Sequence, residues 1–269
     1  ASQFPIEWAF YLDALSFVLS ALCILLVQIA PLEVEGKTNI VTVIRNLREG
    51  ARFLYGNVVL RSLMLVSVPI LFGFGLWNVL LLPFATRALQ ATEFEYGLQE
   101  GLTSVGFVIG SLLMVRLADR LREGQWLAIG FLGMAMIGII YSQTVSIPLA
   151  IGLVMLSGFI NAPSAIARRL LIQRNAPREV RGRVNSAFFV SRDIVFLLGM
   201  AAAGLADLLD VRLFILGSAL LMLASGLLAL VLPGLGQPAA EWKKALSLLR
   251  AAPVVPELGV GRAATLADL

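Results

Sequence analysis

Histidine is absent from this 269-residue chain, and cysteine occurs once, at Cys23. A lone cysteine leaves no disulfide within the chain. Without histidine, Cys/His metal sites and every catalytic scheme built on a histidine base are excluded. Charge is scarce as well: Asp, Glu, Lys and Arg make up 14% of the residues, where soluble domains run nearer a quarter. No segment alternates apolar and polar residues with period two, which argues against the strands of a membrane barrel. The opening Ala1-Ser2-Gln3-Phe4-Pro5 carries no basic residue and does not read as a signal peptide.

What the chain does have is long apolar runs. Mean hydropathy is +0.89, and seven stretches between Trp8 and Leu232 are long and apolar: Trp8–Ala30, Ser62–Ala88, Leu98–Val115, Trp126–Tyr141, Ile147–Ala167, Val184–Leu205 and Val211–Leu232. A bilayer core asks about 20 such residues of a helix. The sequence therefore predicts an all-α polytopic membrane protein with seven transmembrane helices.

Basic residues set the direction. Of the 21 lysines and arginines, all but Arg87, Arg192 and Arg212 fall in every second gap between stretches or in the tail. Cytoplasmic loops carry this excess, so the first stretch starts outside and the chain ends inside. A pI near 9.6 reflects these loop arginines, which topology and anionic lipid headgroups explain; no nucleic-acid partner is expected. An odd number of spans with an external N-terminus suggests a portion of a longer protein.

Within the inner connector, Ile40, Ile44, Leu47, Ala51 and Leu54 recur at helical spacing, with Arg45, Arg48, Glu49 and Arg52 on other faces. This reads either as an amphipathic helix on the inner membrane surface or as a solvated linker helix. Pro69 and Pro83 predict bends in the second stretch. The segment from Gln90 to Gln99 reads as an acidic outer loop. Gly101, Gly106 and Gly110 line one side of the third stretch, a surface for close helix approach. The last stretch reads as a peripheral, lipid-facing helix. After Leu232 the composition changes, with Pro233, Pro238, Pro253 and Pro256, and a short interfacial helix is expected near Trp242, Leu246 and Leu249.

Charges inside spans are costly and usually face a cavity or a partner. Arg192 and Asp193 lie inside the sixth stretch, about 100° apart around a helix and so not obliged to pair. Either they meet substrate or a coupling proton, with Asp193 as the titrating group, or they fix the helix against inner-loop arginines such as Arg116 or Arg183. Asp13 and Glu100 read as carboxylates at the outer interface.

Several phrases resemble the major facilitator superfamily, and within it the bacterial exporter branch that includes enterobactin and macrolide exporters. Tyr11-Leu12-Asp13-Ala14-Leu15-Ser16-Phe17 is similar to that branch's sixth helix. Leu47-Arg48-Glu49-Gly50-Ala51-Arg52-Phe53-Leu54, with Val59-Leu60-Arg61, resembles its central connector. Leu117-Ala118-Asp119-Arg120 stands where the superfamily repeats its inner-loop motif, though Leu121-Arg122-Glu123-Gly124 departs from the usual basic ending. The run from Gln173 to Val184 resembles the loop before the eleventh helix.

The resemblance implies that residues 1–32 hold helix six, 33–61 the connector, 62–232 a six-helix C-terminal half built as an inverted three-plus-three repeat, and 233–269 a cytoplasmic tail or linker. It implies ion-coupled export of small amphipathic molecules by alternating access in a bacterial inner membrane, with no cofactor, no enzymatic activity and helices one to five supplied elsewhere. Without those helices the chain is not expected to transport. Trp77, Asn78 and Asn161 fall on the family's cleft-lining helices, as lining or as packing residues. Asp119 and Arg120 would hold the inner gate with Arg181 or Arg183. A seven-helix receptor and a non-transporting membrane scaffold remain the alternatives; against a retinal receptor, no span carries a lysine.

Overall fold

The computed structural model describes residues 7–27, 39–207 and 210–235. Eight α-helices account for almost all of them: α1 (Glu7–Leu26), α2 (Ile40–Gly56), α3 (Val58–Pro83), α4 (Glu93–Leu117), α5 (Glu123–Gln143), α6 (Ile147–Asn175), α7 (Arg178–Ala203) and α8 (Val211–Val231). The described residues contain no strand. Six of the helices, α3 to α8, are long and apolar enough to cross a membrane, and a shorter apolar run, Phe10–Leu26, occupies α1. The expected tail helix near Trp242 lies outside the described residues.

Helix ends are set by local chemistry. Asn57 is the single residue between α2 and α3. Its N–H closes α2 onto the Phe53 carbonyl (3.0 Å), and its Oδ1 accepts from Val59 and Leu60 N–H (2.9 and 3.1 Å) to open α3. Pro69 is accommodated within α3, while Pro83 leads into a π-turn at Phe84–Ala88; the predicted second bend is this widened turn.

The acidic outer loop is shorter than the sequence suggested. Thr92 and Glu95 form a reciprocal capping box that starts α4 at Glu93, and Glu100 accordingly lies within the helix. Helix α6 runs on to Asn175 and α7 begins at Arg178, so the expected inner loop from Gln173 to Val184 is almost wholly helical. Helices α6 and α7 can extend past the apolar runs because their basic ends reach water.

The pairing of α3 to α8 carries a two-fold pattern. The main packing pairs are α4 with α6, α3 with α7, α5 with α6, α3 with α8, and α5 with α8. Exchanging α3 with α6, α4 with α7 and α5 with α8 turns the first pair into the second and the third into the fourth, and leaves the fifth unchanged. A three-helix unit used twice produces this. Successive spans alternate direction and the exchanged units begin on opposite sides, so the repeat is inverted.

Small residues set the close approaches. Gly106 and Gly110 of α4 sit under the Met155 and Phe159 carbonyls of α6, and Gly158 answers under Thr103. The mate pair repeats this, with Gly75 of α3 under Phe196 and Gly199 of α7 under Phe72. Apolar side chains gain little by leaving lipid, so such backbone proximity supplies van der Waals contact that holds spans together. Gly101, expected on the same surface, faces open space.

Two apolar cores follow. The one on the α2 side gathers Leu63, Leu127, Phe131, Leu171 and Phe188, with Leu54 from α2 and Leu235 from beyond α8. The one at the other end centres on Leu80, Phe84, Tyr141, Val154 and Ile215. Helix α8 is therefore no featureless lipid-facing rod: Ile215, Ala219, Met222 and Ala229 bury one face against α5 and α3. Gly234, at φ +84°, reverses the chain so that Leu235 seats against Gly124. Helix α1 stands apart, exposed along its length and without substantial packing on any other described helix.

Candidate substrate path and inner gate

Helices α4 and α7 are the least covered of the six spans, and they are mates under the two-fold exchange. On α7 the uncovered residues Phe189, Val190, Asp193, Ile194, Leu197 and Leu198 form one stripe at helical spacing. Asp193 sits on that stripe, and Arg192 beside it. The two side chains, which helix geometry does not oblige to pair, do so: Arg192 Nε donates to Asp193 Oδ1 at 2.8 Å, and Nη2 lies 2.7 Å from the same oxygen. The flexible arginine stem folds the guanidinium back towards its neighbour, and its carbon lies 4.6 Å from the centre of the Phe189 ring. Neither Arg116 nor Arg183 takes part. The pair keeps side-chain exposures of 39% and 57%, so α3 to α8 leave it partly open.

The other candidate lining residues divide. Trp77 is turned into the half's own interior, its ring 5.0 Å from Tyr141, which in turn lies 4.8 Å from Phe84. Tyr141 Oη donates to Gln99 Oε1 at 2.9 Å, a buried link between α5 and α4. Asn78 is exposed on α3, and Asn161 is half-buried on α6, where its Oδ1 accepts from Ser164 Oγ at 3.3 Å.

The inner-gate candidates are not joined as expected. Asp119 lies in a 3-10 turn after α4, is exposed, and makes no hydrogen bond or ion pair among the described residues. Arg120 neighbours it in the same turn. Arg181 is used elsewhere: Nη2 donates to the Gln173 and Ala176 carbonyls (2.8 and 3.2 Å) and Nε to Ala176 (3.2 Å), tying the start of α7 to the end of α6. A helix C-terminus leaves carbonyls unpaired, and a guanidinium satisfies several at once. Arg183 donates to Glu49 of α2 at 2.7 Å. One residue on, Gly50 lies so close to the Arg183 carbonyl that a Cβ there would overlap it. The later turns of the connector helix are thus seated on α7. Ile40, Val41, Val43 and Ile44 in its first turns and Tyr55 in its last remain exposed. An ion pair between Arg174 and Glu123 joins the end of α6 to the start of α5.

Sequence reasoning passed over Arg212. Its guanidinium donates to the carbonyls of Ser142 (3.0 Å), Thr144 (2.9 Å) and Ala88 (3.3 Å) and lies 5.2 Å from the Phe84 ring centre. One side chain of α8 therefore caps the outer ends of both α5 and the α3 π-turn. Its place outside the basic gaps was the available signal: an arginine on the sparsely charged face has a specific partner more often than a topological role.

A multi-pass helical membrane unit of two inverted three-helix repeats, with an ion pair uncovered midway along one span, defines a class of membrane protein. The Major Facilitator Superfamily model matches residues 63–264, and the chain belongs to that family. It is 31% identical over 229 residues to the multidrug efflux pump Tap of Mycolicibacterium fortuitum, covering 80% of this chain and 54% of that protein. It is 23% identical over 187 residues to the uncharacterized MFS-type transporter YfmI of Bacillus subtilis (strain 168), covering 68% of this chain and 46% of YfmI. The chain spans about half the length of these curated relatives. No solved structure gives a significant match.

Proposed function

We propose that α3 to α8 form the C-terminal half of a secondary active exporter that moves small amphipathic molecules across a bacterial inner membrane by alternating access. The observation that carries this reading is the Arg192–Asp193 pair, placed within a span and left open by its own half. Ionised side chains facing hydrocarbon are costly, and in spans they face cavities or partners. The uncovered α7 stripe is then a wall of a polar cleft, closed on its far side by a second six-helix half. Membership of the family and the 31% identity to a protein named a multidrug efflux pump favour export over the receptor and scaffold alternatives.

In this reading Asp193 takes up and releases the coupling proton. Arg192 pairs with the carboxylate until substrate or the opposite half competes for the guanidinium. Asn78 and Asn161 offer polar contacts along the cleft, and Trp77 keeps α3 in place behind them. Asp119, unpaired in its turn, belongs to an inner gate with Arg120, and its partner lies on the opposite half. Arg181 and Arg183 position α7 for that gate by fixing its start to α6 and to α2. Residues 1–32 correspond to helix six, 33–61 to the connector, 62–232 to the transporting half and 233–269 to a cytoplasmic tail, with an external start and an internal end.

The test is transport by the full-length protein in proteoliposomes loaded with a fluorescent amphipathic cation. An imposed proton gradient should drive its movement, and dissipating the gradient should stop it. Movement that ignores the gradient would remove ion coupling; no movement across a panel of amphipathic cations and neutral compounds would remove export of this substrate class.

A further inference from the structure

Arg168 lies on α6 two turns on from Asn161, a spacing that puts both on one face of the helix. It is half-buried within its own six-helix unit, next to the exposed Arg169. Arg169, Ile172 and Gln173 of α6 share a cavity of about 510 Å³ with Phe189 of α7. The Arg192 guanidinium sits on that same Phe189 ring, 4.6 Å from its centre. Side chains of α6 and α7 therefore meet across a space where the two helices pack little against each other, and the charges of Arg192 and Arg169 act on Arg168 there. Three guanidinium groups, two from α6 and one from α7, thus gather beside one carboxylate, Asp193. Other counter-charge is scarce. The α-helices packed against α7 are α2, α3 and α6; together they bring one carboxylate, Glu49 of α2, and Arg183 takes it. Glu179 stands in the first turn of α7, about 20 Å from Arg192 at the helical rise.

A long arginine stem can carry its guanidinium in several directions. Turning towards α6 brings Arg192 closer to Arg168 and Arg169 and costs Coulomb energy; turning along α7 to Asp193 gains it. We propose that Arg168 is a positioning residue of the coupling path, whose like charge holds Arg192 on Asp193. Phe189 supplies the platform on which the guanidinium rests. The role depends on charges within α6 and α7 and not on an open face of either. A second half closing over α7 strengthens it, because excluding water lowers the local dielectric and lengthens the reach of each charge.

Modification of Asp193 by an apolar carbodiimide reads the pair without transport. A carboxyl freed from its cation protonates more readily and reacts faster, and mass spectrometry of the full-length protein in nanodiscs counts the adduct. Arg168→Gln should speed this labelling roughly tenfold, the factor a unit charge about 10 Å away exerts at an effective dielectric of about 20. Arg168→Lys keeps the charge and should label like the wild type, whereas a packing role would disturb both variants. In an Arg192→Gln background labelling is already fast, and adding Arg168→Gln should change it little. Unchanged labelling in Arg168→Gln would overturn the proposal. So would the same tenfold gain with Arg192 removed, because Arg168 would then act on Asp193 directly. The consequence for transport rests on the coupling role proposed for Asp193. A carboxylate that loses its cation takes up a proton at higher pH, so the pH of half-maximal gradient-driven efflux should rise in Arg168→Gln. A labelling gain with an unmoved pH profile upholds the positioning and overturns the coupling role.

Discussion

Replacing Gly50 with alanine separates a seated connector from a free one by the sign of the effect. In an isolated or surface-lying helix, Gly→Ala stabilises by about 1 kcal/mol, because glycine has the poorer helix propensity. In this protein the new Cβ would overlap the Arg183 carbonyl of α7. Backbone on both sides cannot step aside cheaply, so α2 must lift. Lifting exposes Leu54, now 1% exposed, at a cost of roughly 2 kcal/mol. It also loosens Glu49–Arg183, whose side chains are 47% and 44% exposed, so that the pair adds only about 0.5 kcal/mol. Set against the propensity gain, seating weakens by about 1.5 kcal/mol, or roughly tenfold in the seated-to-lifted ratio. Trypsin reads this directly at Arg45, Arg48 and Arg52, because proteolysis follows the population of the opened form. Cleavage of the full-length protein in inside-out vesicles should speed up roughly tenfold in Gly50→Ala. Unchanged or slower cleavage would refute the seating and return α2 to the membrane surface or to water.

Other expectations follow from the same contacts. Arg212→Gln should lower the stability of the detergent-solubilised protein by about 2–4 kcal/mol, since three carbonyl contacts in a half-buried setting are lost together. Thermal unfolding is the measurement, and Arg212→Lys should recover only part, a point charge being unable to fork to two helices. Gly106→Ala should destabilise by about 1–3 kcal/mol through overpacking against α6, whereas Gly101→Ala, facing open space, should be neutral or mildly stabilising; equal effects in chemical denaturation would contradict the α4–α6 geometry. Asp119→Ala in the full-length protein should shift it towards the inward-open state, seen as faster modification of cysteines placed along the inner cleft.

Much of the architecture was legible in the sequence. Long apolar runs specify the spans, because a bilayer forces backbone groups to be satisfied within each helix. Gly106 and Gly110 announced a close approach, and the two-fold pairing bears out the repeat that family resemblance implied. Helix ends were less legible. The Thr92–Glu95 box was present in the sequence, but hydropathy drew attention to Leu98 instead. The extensions of α6 and α7 past their apolar runs turned an expected loop into helix and carried Arg178, Arg181 and Arg183 with it.

The candidate site was read only in outline. An amphipathic pattern shows that α2 has an apolar face but not whether lipid or protein covers it; Gly50, set among larger residues, was the clue. Likewise, angular separation on a helix says where Cβ atoms of Arg192 and Asp193 point, not where a long guanidinium ends. In the proposed reading, the partners of Asp119 and of the α7 stripe lie outside the six-helix unit, where no pattern within it could name them.

The most direct test of the account is proton-driven efflux by the full-length protein carrying Asp193→Asn, reconstituted beside the wild type and measured across external pH. Loss of gradient-driven efflux, with substrate binding retained and its pH dependence flattened, is the predicted result. Wild-type efflux with an unchanged pH profile in Asp193→Asn would contradict it, and with it the assignment of the uncovered α7 face to the coupling path.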